Sequence, residues 1–388
     1  MIERNEIDSK AEQFEIHPAN VQRDYVFGWL LFVLFTLSGL KDRIFLKGGN
    51  ALRKGYFQNT RFSADLDFGT PGEIRPDLLM EEFRKICEFV EAQAGIKFLP
   101  EQYRIEEKFT ATDSPMLDLK VYDIRLYFND FYSNSDHIKI RVSIDLTRYD
   151  KVLLPVQSVP LIHPYSDSSD VACNIRSMKL EEIIATKLKC LLQRQHAPDL
   201  FDYVHSIKLL GGNLNRTEVV TTFIKKTIFS RNPHVVRDIL LKSPFGFFRE
   251  YWSKTLVCAK TILIGVEDAI SFFVADVADL FKLIPEGRIL SSGTYFGADV
   301  RVPIMEAGRS MTCLRIRYGG FQRTVEPYSL RYMQRRDGLE REYLYVYDRT
   351  GGNSGPGIKA LVPDKLTGIE STGETFEPRF PEIGRAHV

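Results

Sequence analysis

The chain has 388 residues, of which 44% are hydrophobic and 27% charged, proportions that are ordinary for a globular protein with room for two or three domains. Its five cysteines are odd in number and form no C-x-x-C pair, which argues against a disulfide framework and a zinc cluster and favours free thiols in a reducing cytoplasm. The net charge of +1 conceals a basic stretch between Arg176 and Lys254, where fourteen Lys or Arg residues accompany seven Asp or Glu. Such a stretch suits a nucleic-acid partner, although solvated helix faces would give the same count.

One apolar run dominates the N-terminal segment. The first twenty residues are polar and acidic, without the pattern of a secretory signal. Tyr25 to Leu40 is nearly all apolar, but its sixteen residues include Gly28 and Gly39 and fall short of the roughly 20 needed to span a bilayer. We therefore predict a buried core helix and no membrane partner.

Helices and strands then alternate through the first half of the chain. We predict a short strand at Ile44 to Leu46, a helix from about Asn50 to Phe57 and a strand that carries Asp65 and Asp67. An amphipathic helix follows, indicated by helical spacing of Leu78, Leu79, Phe83, Ile86, Phe89 and Val90. Three more strands are predicted at Tyr103 to Thr110, Leu117 to Phe128 and His137 to Leu146. This mixture is typical of a small mixed sheet backed by helices.

Three acidic residues in this half have the pattern of a metal site. Asp65 and Asp67 are two apart in a strand and point to the same face, where their carboxylates repel unless a cation neutralises them. Mg²⁺ accepts carboxylate ligands and leaves positions open for phosphate oxygens. Asp145 ends an apolar strand, where an acid is costly to bury without a partner. The pair Gly48-Gly49 lets the backbone approach a triphosphate, so together these residues predict metal-assisted nucleotidyl transfer.

The second half changes from helical to β character. Leu180, Ile183, Leu188 and their neighbours follow helical spacing, and the helical pattern continues from Met178 to about Leu283 with a break at Gly211-Gly212. Past Gly287 we predict strands such as Cys313 to Tyr318 and Tyr343 to Tyr347, joined by glycine-rich turns that include a hairpin loop at 351–357. We therefore expect three regions, at 1–175, 176–284 and 285–388.

The segment around the glycine pair resembles the active-site motif of the AbiEii-type nucleotidyltransferase toxins, of the polymerase-β-like superfamily. It reads Lys47-Gly48-Gly49-Asn50, followed by Arg61-Phe62-Ser63-Ala64-Asp65-Leu66-Asp67-Phe68, against a family pattern of K-G-G-T and R-x-S-x-D-x-D. Asn50 stands where the family has a hydroxyl residue. The resemblance implies that Asp65, Asp67 and Asp145 hold Mg²⁺, that Gly48, Gly49 and Asn50 hold the triphosphate, and that Arg61 and Ser63 support the loop or contact substrate.

A second element resembles the family's A-x-K-L helix and the R-D-L-x-D element after it. It comprises Ala185 to Leu188 and Asp199 to Asp202, with Pro198 where the family has arginine. The resemblance implies that Lys187 reaches the triphosphate, where an ammonium stabilises developing charge. Asp199 and Asp202 would orient Lys187 or help position the nucleotide and the acceptor.

The tail resembles a WYL domain, a small SH3- or Sm-like β-barrel of bacterial defence regulators. The resemblance lies in Arg323-Thr324-Val325-Glu326-Pro327-Tyr328 and in Tyr343-Leu344, with Glu342 in place of the tryptophan. It implies a sensor of nucleotides or nucleic acids whose ligand would contact Arg323, Glu326, Tyr328 and Tyr343. A purely structural barrel is the alternative.

The expected fold is thus an α/β (α+β) nucleotidyltransferase core with a mixed sheet, a helical acceptor- and nucleotide-binding region and a C-terminal small β-barrel. The resemblance implies a cytoplasmic, Mg²⁺-dependent toxin of a toxin–antitoxin or phage-defence system. It would move a nucleotide from an NTP to an RNA, plausibly the 3′ end of tRNA, or to a protein hydroxyl. A cognate antitoxin is the expected protein partner. Two other hypotheses remain, a nucleotide- or nucleic-acid-sensing regulator with a binding-only core and a structural scaffold.

Overall fold

The structure is a computed structural model that describes ten stretches of the chain. These are residues 2–110, 119–131, 138–150, 152–194, 196–227, 229, 233–284, 296–334, 340–351 and 355–379. The starts of the strands predicted at Leu117 and His137, and the middle of the loop predicted at 351–357, lie outside the described residues.

Two helices open the chain, α1 (Arg4–Phe14) and α2 (Pro18–Thr36). Proline begins α2, where its missing N–H costs nothing, and the Nδ1 atom of His17 accepts a hydrogen bond from the backbone N–H of Ala19. The helix is buried on nearly all sides, from Val21 to Phe35, which confirms the predicted core helix. Within the described stretches, no helix has the length and apolar character of a membrane span.

A seven-stranded mixed sheet forms the centre of the first half. Its strands are β1 (Phe45–Lys47), β2 (Asp65–Thr70), β3 (Arg104–Thr110), β4 (Leu119–Asn129), β5 (Lys139–Arg148), β6 (Gln157–Pro160) and β7 (Asn174–Ser177). Their order is β3-β4-β5-β2-β1-β7-β6, with parallel pairing for β2–β5 and β1–β7 and antiparallel pairing for the rest. The mixed sheet is as predicted.

The two faces of this sheet differ in polarity. On β5, Ile140, Val142, Ile144 and Leu146 are buried and alternate with polar residues, as expected for a strand with one packed face. Residues of α2 and of α4 (Pro76–Ala94) share one hydrophobic core with the packed face. The opposite, polar face is therefore available for a functional site.

A compact turn connects β1 to β2. A four-residue helix, α3 (Gly48–Ala51), continues into a π-helical turn at Leu52–Tyr56, at the place where a single helix was predicted. The turn directs two consecutive cations, Arg53 and Lys54, at the buried Asp24 of α2, with N···O distances of 2.6 and 3.0 Å. Burial alone would raise the pKa of Asp24, but the charges of Arg53 and Lys54 outweigh it and lower that pKa below its usual range.

The middle of the chain is helical, as predicted. It contains α5 (Leu180–Gln193), α6 (Ala197–Leu210), α7 (Arg216–Lys225), α8 (Pro233–Leu241), α9 (Gly246–Thr255) and α10 (Val266–Leu280). These helices share a second hydrophobic core that includes Phe201, Phe223, Phe248 and Phe273. The predicted break after α6 is present at Gly211.

The first described element of the last part is a helix, which the prediction of β character past Gly287 did not include. This helix, α11 (Ala298–Ser310), precedes β8 (Thr312–Tyr318), β9 (Phe321–Gln334), β10 (Glu340–Asp348), β11 (Gly357–Leu361) and β12 (Leu366–Thr375). Pro303 inside α11 masks the helical pattern in the sequence, while Ile304, Met305 and Ala307 pack into the core under the sheet. The described strands form an antiparallel sheet of open order β11-β10-β9-β8-β12, so closure into a barrel stays a prediction.

Candidate active site

The three predicted acids lie together on the polar face of the mixed sheet. Parallel pairing of β2 with β5 places Asp67 beside Asp145, and Asp65 projects on the same side two residues earlier. One carboxylate oxygen from each of the three residues lies within 4.8 Å of the other two. Strand pairing therefore brings Asp65 and Asp145 close together although they are far apart in the sequence.

The electrostatics of the cluster suit a bound cation. Burial, and then the charge of Asp65, raise the pKa of Asp67 to about 7, against the opposing charge of Lys47. Burial, Asp123 and Asp65 raise the pKa of Asp145. A raised pKa marks a carboxylate whose negative charge is poorly compensated by its surroundings, and a hard divalent cation, which prefers oxygen ligands, would compensate it.

A fourth acid adjoins the cluster, and the sequence analysis missed it. Across β1, β2, β5 and β4, the paired positions are Lys47, Asp67, Asp145 and Asp123, in one row. Asp123 is buried, and both Lys108 and Arg125 donate to its carboxylate. Those cations outweigh burial and lower the pKa of Asp123, so it remains an anion beside Asp145. The alternating pattern of β4 was the signal that could have revealed it.

The glycine turn, formed by Gly48 and Gly49 directly after β1, makes room for side chains of the site. Gly48 has φ of +70°, and a Cβ atom there would lie 2.0 Å from Oδ2 of Asp67. A Cβ at Gly49 would lie 2.7 Å from Nη2 of Arg61 and 2.8 Å from Oγ of Ser63. Glycine is needed at both positions because acids and donors of the site occupy the space of a side chain.

Asn50, expected at the triphosphate, and Ser63, expected to support the loop or contact substrate, both contact Asp65. Asn50 is fully buried and its Nδ2 donates to the backbone carbonyl of Asp65, while Oγ of Ser63 donates to the Asp65 carboxylate at 3.0 Å. Both residues therefore hold the first acid of the cluster in place. Their predicted contact with nucleotide stays a prediction.

A buried ion network lies beside the acid cluster and comprises Lys187, Asp199, Asp202 and Arg61. The Nζ atom of Lys187 lies 2.9 Å from Asp199 and 2.8 Å from Asp202. Arg61 donates from Nε and Nη2 to the two oxygens of Asp202, at 2.7 and 2.8 Å. Burial would raise the pKa values of both aspartates, but the neighbouring cations lower them, so both stay ionised.

The network reaches the acid cluster through charge. Lys187 opposes the rise in the pKa of Asp67, and Arg194, which donates to Asp199 from the half-exposed end of the network, also acts on Asp67. Lys187 is thus oriented by the aspartates of α6, close enough to the acids to affect their charge.

The residues predicted to hold a ligand in the tail are already engaged with one another. Glu326 is buried and accepts hydrogen bonds from Tyr328 at 2.8 Å and from Arg349 and Arg379. Arg323 pairs with the buried Asp348 at 2.5 Å. Tyr343 lies half-buried on β10. The structure places Glu326 and Tyr328 together, with Arg323 in a separate ion pair.

Comparison with known proteins bears on the first two regions. A family described as the nucleotidyl transferase AbiEii toxin of type IV toxin–antitoxin systems matches residues 29–255, which is more than half of the chain. Among solved structures, MenT4, a nucleotidyltransferase toxin from Mycobacterium tuberculosis H37Rv, matches at 18% sequence identity and a TM-score of 0.44, over 72% of this chain and 92% of that chain. The curated proteins contain no match.

Proposed function

This chain belongs to the AbiEii family of nucleotidyl transferase toxins of type IV toxin–antitoxin systems, and from that premise we propose that it transfers a nucleotide from an NTP to a hydroxyl of an RNA in the cytoplasm. The observation that carries the proposal is the cluster of Asp65, Asp67 and Asp145, whose oxygens lie within 4.8 Å of one another. We assign these three residues as ligands of Mg²⁺.

The residues of the chain have distinct roles in this reaction. Bound Mg²⁺ would supply Lewis acidity for the phosphate and lower the pKa of the attacking hydroxyl. Asp145, at the edge of the cluster away from the glycine turn, positions that hydroxyl. The hydroxyl gives up its proton to solvent, its oxygen bonds to the α-phosphorus, the bond from that phosphorus to the bridging oxygen breaks, and pyrophosphate leaves. Lys187 stabilises the charge that develops on the phosphates, held in position by Asp199 and Asp202.

The acceptor is proposed to be an RNA, with the 3′ end of tRNA as the first candidate and a protein hydroxyl as the alternative. Support comes from the basic stretch on α5 to α9, whose exposed cations include Lys225, Arg194 and Lys254. Membership of a toxin–antitoxin family supports a cognate antitoxin as the protein partner, and we propose a role in phage defence.

Incubation with each α-labelled NTP, Mg²⁺ and total cellular RNA tests this function. We expect label to enter RNA with wild-type protein and Asp42→Asn, an exposed acid outside the site, and transfer by Asp67→Asn to fall by about a thousandfold or more. Undiminished transfer by Asp67→Asn would overturn the metal site. Label that enters only protein would change the acceptor.

A sensing regulator with a binding-only core is the second candidate. It is favoured by the aromatic surface of β10, where Arg331 lies 5.7 Å from the ring centroid of Tyr345 and Arg379 lies 4.2 Å from that of Tyr347. A WYL-like tail of this kind would stack on bases of a single-stranded ligand. Nucleotide binding without turnover of any NTP, in the presence of RNA, would favour this candidate.

A further inference from the structure

Two arginines beside the acid cluster are not used by the reaction described above. A cavity of about 160 Å³ is lined by Arg23, Ala64, Asp65, Arg141 and Ser143. Arg23 comes from α2 and Arg141 from β5, and the Nε atom of Arg23 donates to the backbone carbonyl of Arg141 at 3.0 Å. This hydrogen bond fixes the side chain of Arg23 relative to the backbone of β5 at the edge of the site.

The two guanidinium groups have an unusual charge environment. Among the described residues, neither forms an ion pair with a carboxylate within 4.0 Å, although most arginines around the site do. Burial and the neighbouring charge of Arg141 lower the pKa of Arg23, while Asp65 acts in the opposite direction. Two adjacent cations at the wall of a cavity, with no carboxylate paired to either among the described residues, form a site for an anion.

The position of the cavity indicates which anion. β1, which leads into the glycine turn, lies on one side of β2, and β5 with Asp145 and Arg141 lies on the other. If the triphosphate lies at the glycine turn, as proposed, Arg23 and Arg141 lie on the side from which the attacking hydroxyl approaches. The anion at this side belongs to the acceptor.

We propose that Arg23 and Arg141 bind a backbone phosphate of a single-stranded nucleic-acid acceptor, next to the hydroxyl that attacks. This inference rests on the proposed function. The planar, forked donors of arginine match a phosphodiester, and Ser143 offers a further hydroxyl in the same cavity.

Equilibrium binding separates this subsite from the nucleotide site. The probes are a 5′-fluorescein-labelled, mixed-sequence 12-nucleotide RNA and Mg²⁺ with each NTP. Against wild type we expect Arg141→Gln to weaken RNA binding by about threefold to tenfold and the Arg23→Gln/Arg141→Gln double variant by about tenfold or more. The slope of log affinity against log salt should become shallower by about 0.7, because one phosphate of the RNA is no longer neutralised by the protein. NTP affinity should stay within about twofold.

Two variants keep the test independent of folding defects. Arg141→Gln leaves the backbone carbonyl that accepts from Arg23 in place, and Arg75→Gln removes an exposed arginine that pairs with exposed Asp77 at 3.2 Å. Arg75→Gln should bind RNA like wild type, and thermal melts of all variants should coincide.

Several results would overturn the inference. An equal loss of NTP and RNA affinity in the double variant would assign the anion to the triphosphate. Unchanged RNA affinity, no RNA binding by wild type, or label transferred only to protein would also reject it. Transfer to RNA with an unchanged acceptor KM in the double variant would reject this subsite and leave the proposed function standing. If the wild type binds RNA through Arg23 and Arg141 but transfers no nucleotide, the proposed function is rejected and the phosphate subsite stands.

Discussion

At Gly48 the carboxylate of Asp67 takes the space that any side chain would need. We predict that Gly48→Ala lowers nucleotidyl transfer by about a hundredfold or more, because a Cβ would push Asp67 away from Asp65 and Asp145. The positive φ adds about 1–2 kcal/mol of backbone strain. Gly72→Ala is the matched control, since a Cβ there meets nothing within 4 Å. Equal transfer by both variants, measured with label incorporation, would contradict the close approach.

Asp67 also gives the metal-free protein a pH-dependent stability. Its pKa is about 7 in the folded protein and near 3.8 in the unfolded chain, so folding takes up a proton between these values. The stability that Asp67 contributes is therefore fully present below about pH 4 and is lost as the pH rises through about 7. We expect the melting temperature in chelator to have a falling contribution from pH 4 to 7 that Asp67→Asn removes. Asp42→Asn should keep the wild-type pH profile, and superimposable profiles for all three proteins would refute the assignment.

Some residue positions could be predicted from sequence and others could not. The alternation Asp65-x-Asp67 and the acid at the end of an apolar strand sufficed for the three clustered carboxylates, because strand geometry fixes where they point. Asn50, Ser63 and Asp123 depend on which backbone or strand lies next to them. That information comes from tertiary packing, so the sequence alone could not supply it.

At the level of elements, the buried ion network joins α5, α6 and the loop before β2. We predict that Asp202→Asn costs about 3–5 kcal/mol of stability, because Arg61 and Lys187 then lose a shared, buried counter-charge. Arg249→Gln breaks an exposed pair with Glu267 and should cost less than about 1 kcal/mol. Denaturant unfolding followed by tryptophan fluorescence compares the two. A similar small loss in both would mean that the network contributes no net stability.

The basic helices contain two neighbouring lysines with different surroundings. Lys226 lies 2.7 Å from the fully buried Glu182, whereas Lys225 is exposed on α7. We predict that Lys225→Glu weakens RNA binding by about threefold without changing the melting temperature. Lys226→Glu should lower the melting temperature by several degrees, because it places two carboxylates together. RNA affinity is measured by fluorescence anisotropy across salt concentrations. Unchanged affinity in Lys225→Glu would mean that this surface is only a solvated helix face and does not bind RNA.

Elements were predicted well where a long apolar periodicity exists. α2, α4 and α5 have such patterns, and the structure contains them. α11 was missed because Pro303 interrupts its pattern, and the π-helical turn after α3 was missed because its shape serves the pairing of Arg53 and Lys54 with Asp24. In each case the local structure is decided by contacts with residues that are distant in the sequence, against the local sequence pattern.

At the scale of the whole molecule, three large hydrophobic cores follow one another along the described part of the chain, with a small fourth cluster at Cys313, Tyr328 and Phe376. The first extends to Ile183, the second continues to Ala298 and the third lies between α11 and the C-terminal sheet. This sequence parallels the regions predicted at 1–175, 176–284 and 285–388, whose boundaries stay a prediction. The second and third cores meet at α11, where Arg309 lies 3.8 Å from the ring centroid of Phe247.

A chain that ends at Leu283 should keep the first core and all of the second except Ile284 and Ala298. We predict that it folds and binds Mg²⁺-NTP like the full chain, because every residue of the acid cluster and of the ion network precedes the cut. Its acceptor choice should change, because the Tyr-rich strand β10 is removed. Transfer by both proteins across a panel of RNAs is the measurement. Loss of NTP binding would show that the third core supports the site.

The parallel pairing of β2 with β5 also limits how early the acid cluster can assemble during synthesis of the chain. Eighty positions separate Asp65 from Asp145. At about 5–20 residues per second, the ribosome needs about 4–16 s to add them. Lys187 and its aspartates are added later still. A nascent chain therefore carries no complete proposed site until Asp202 has been made, which would give the proposed antitoxin an interval in which to bind a toxin that is not yet active.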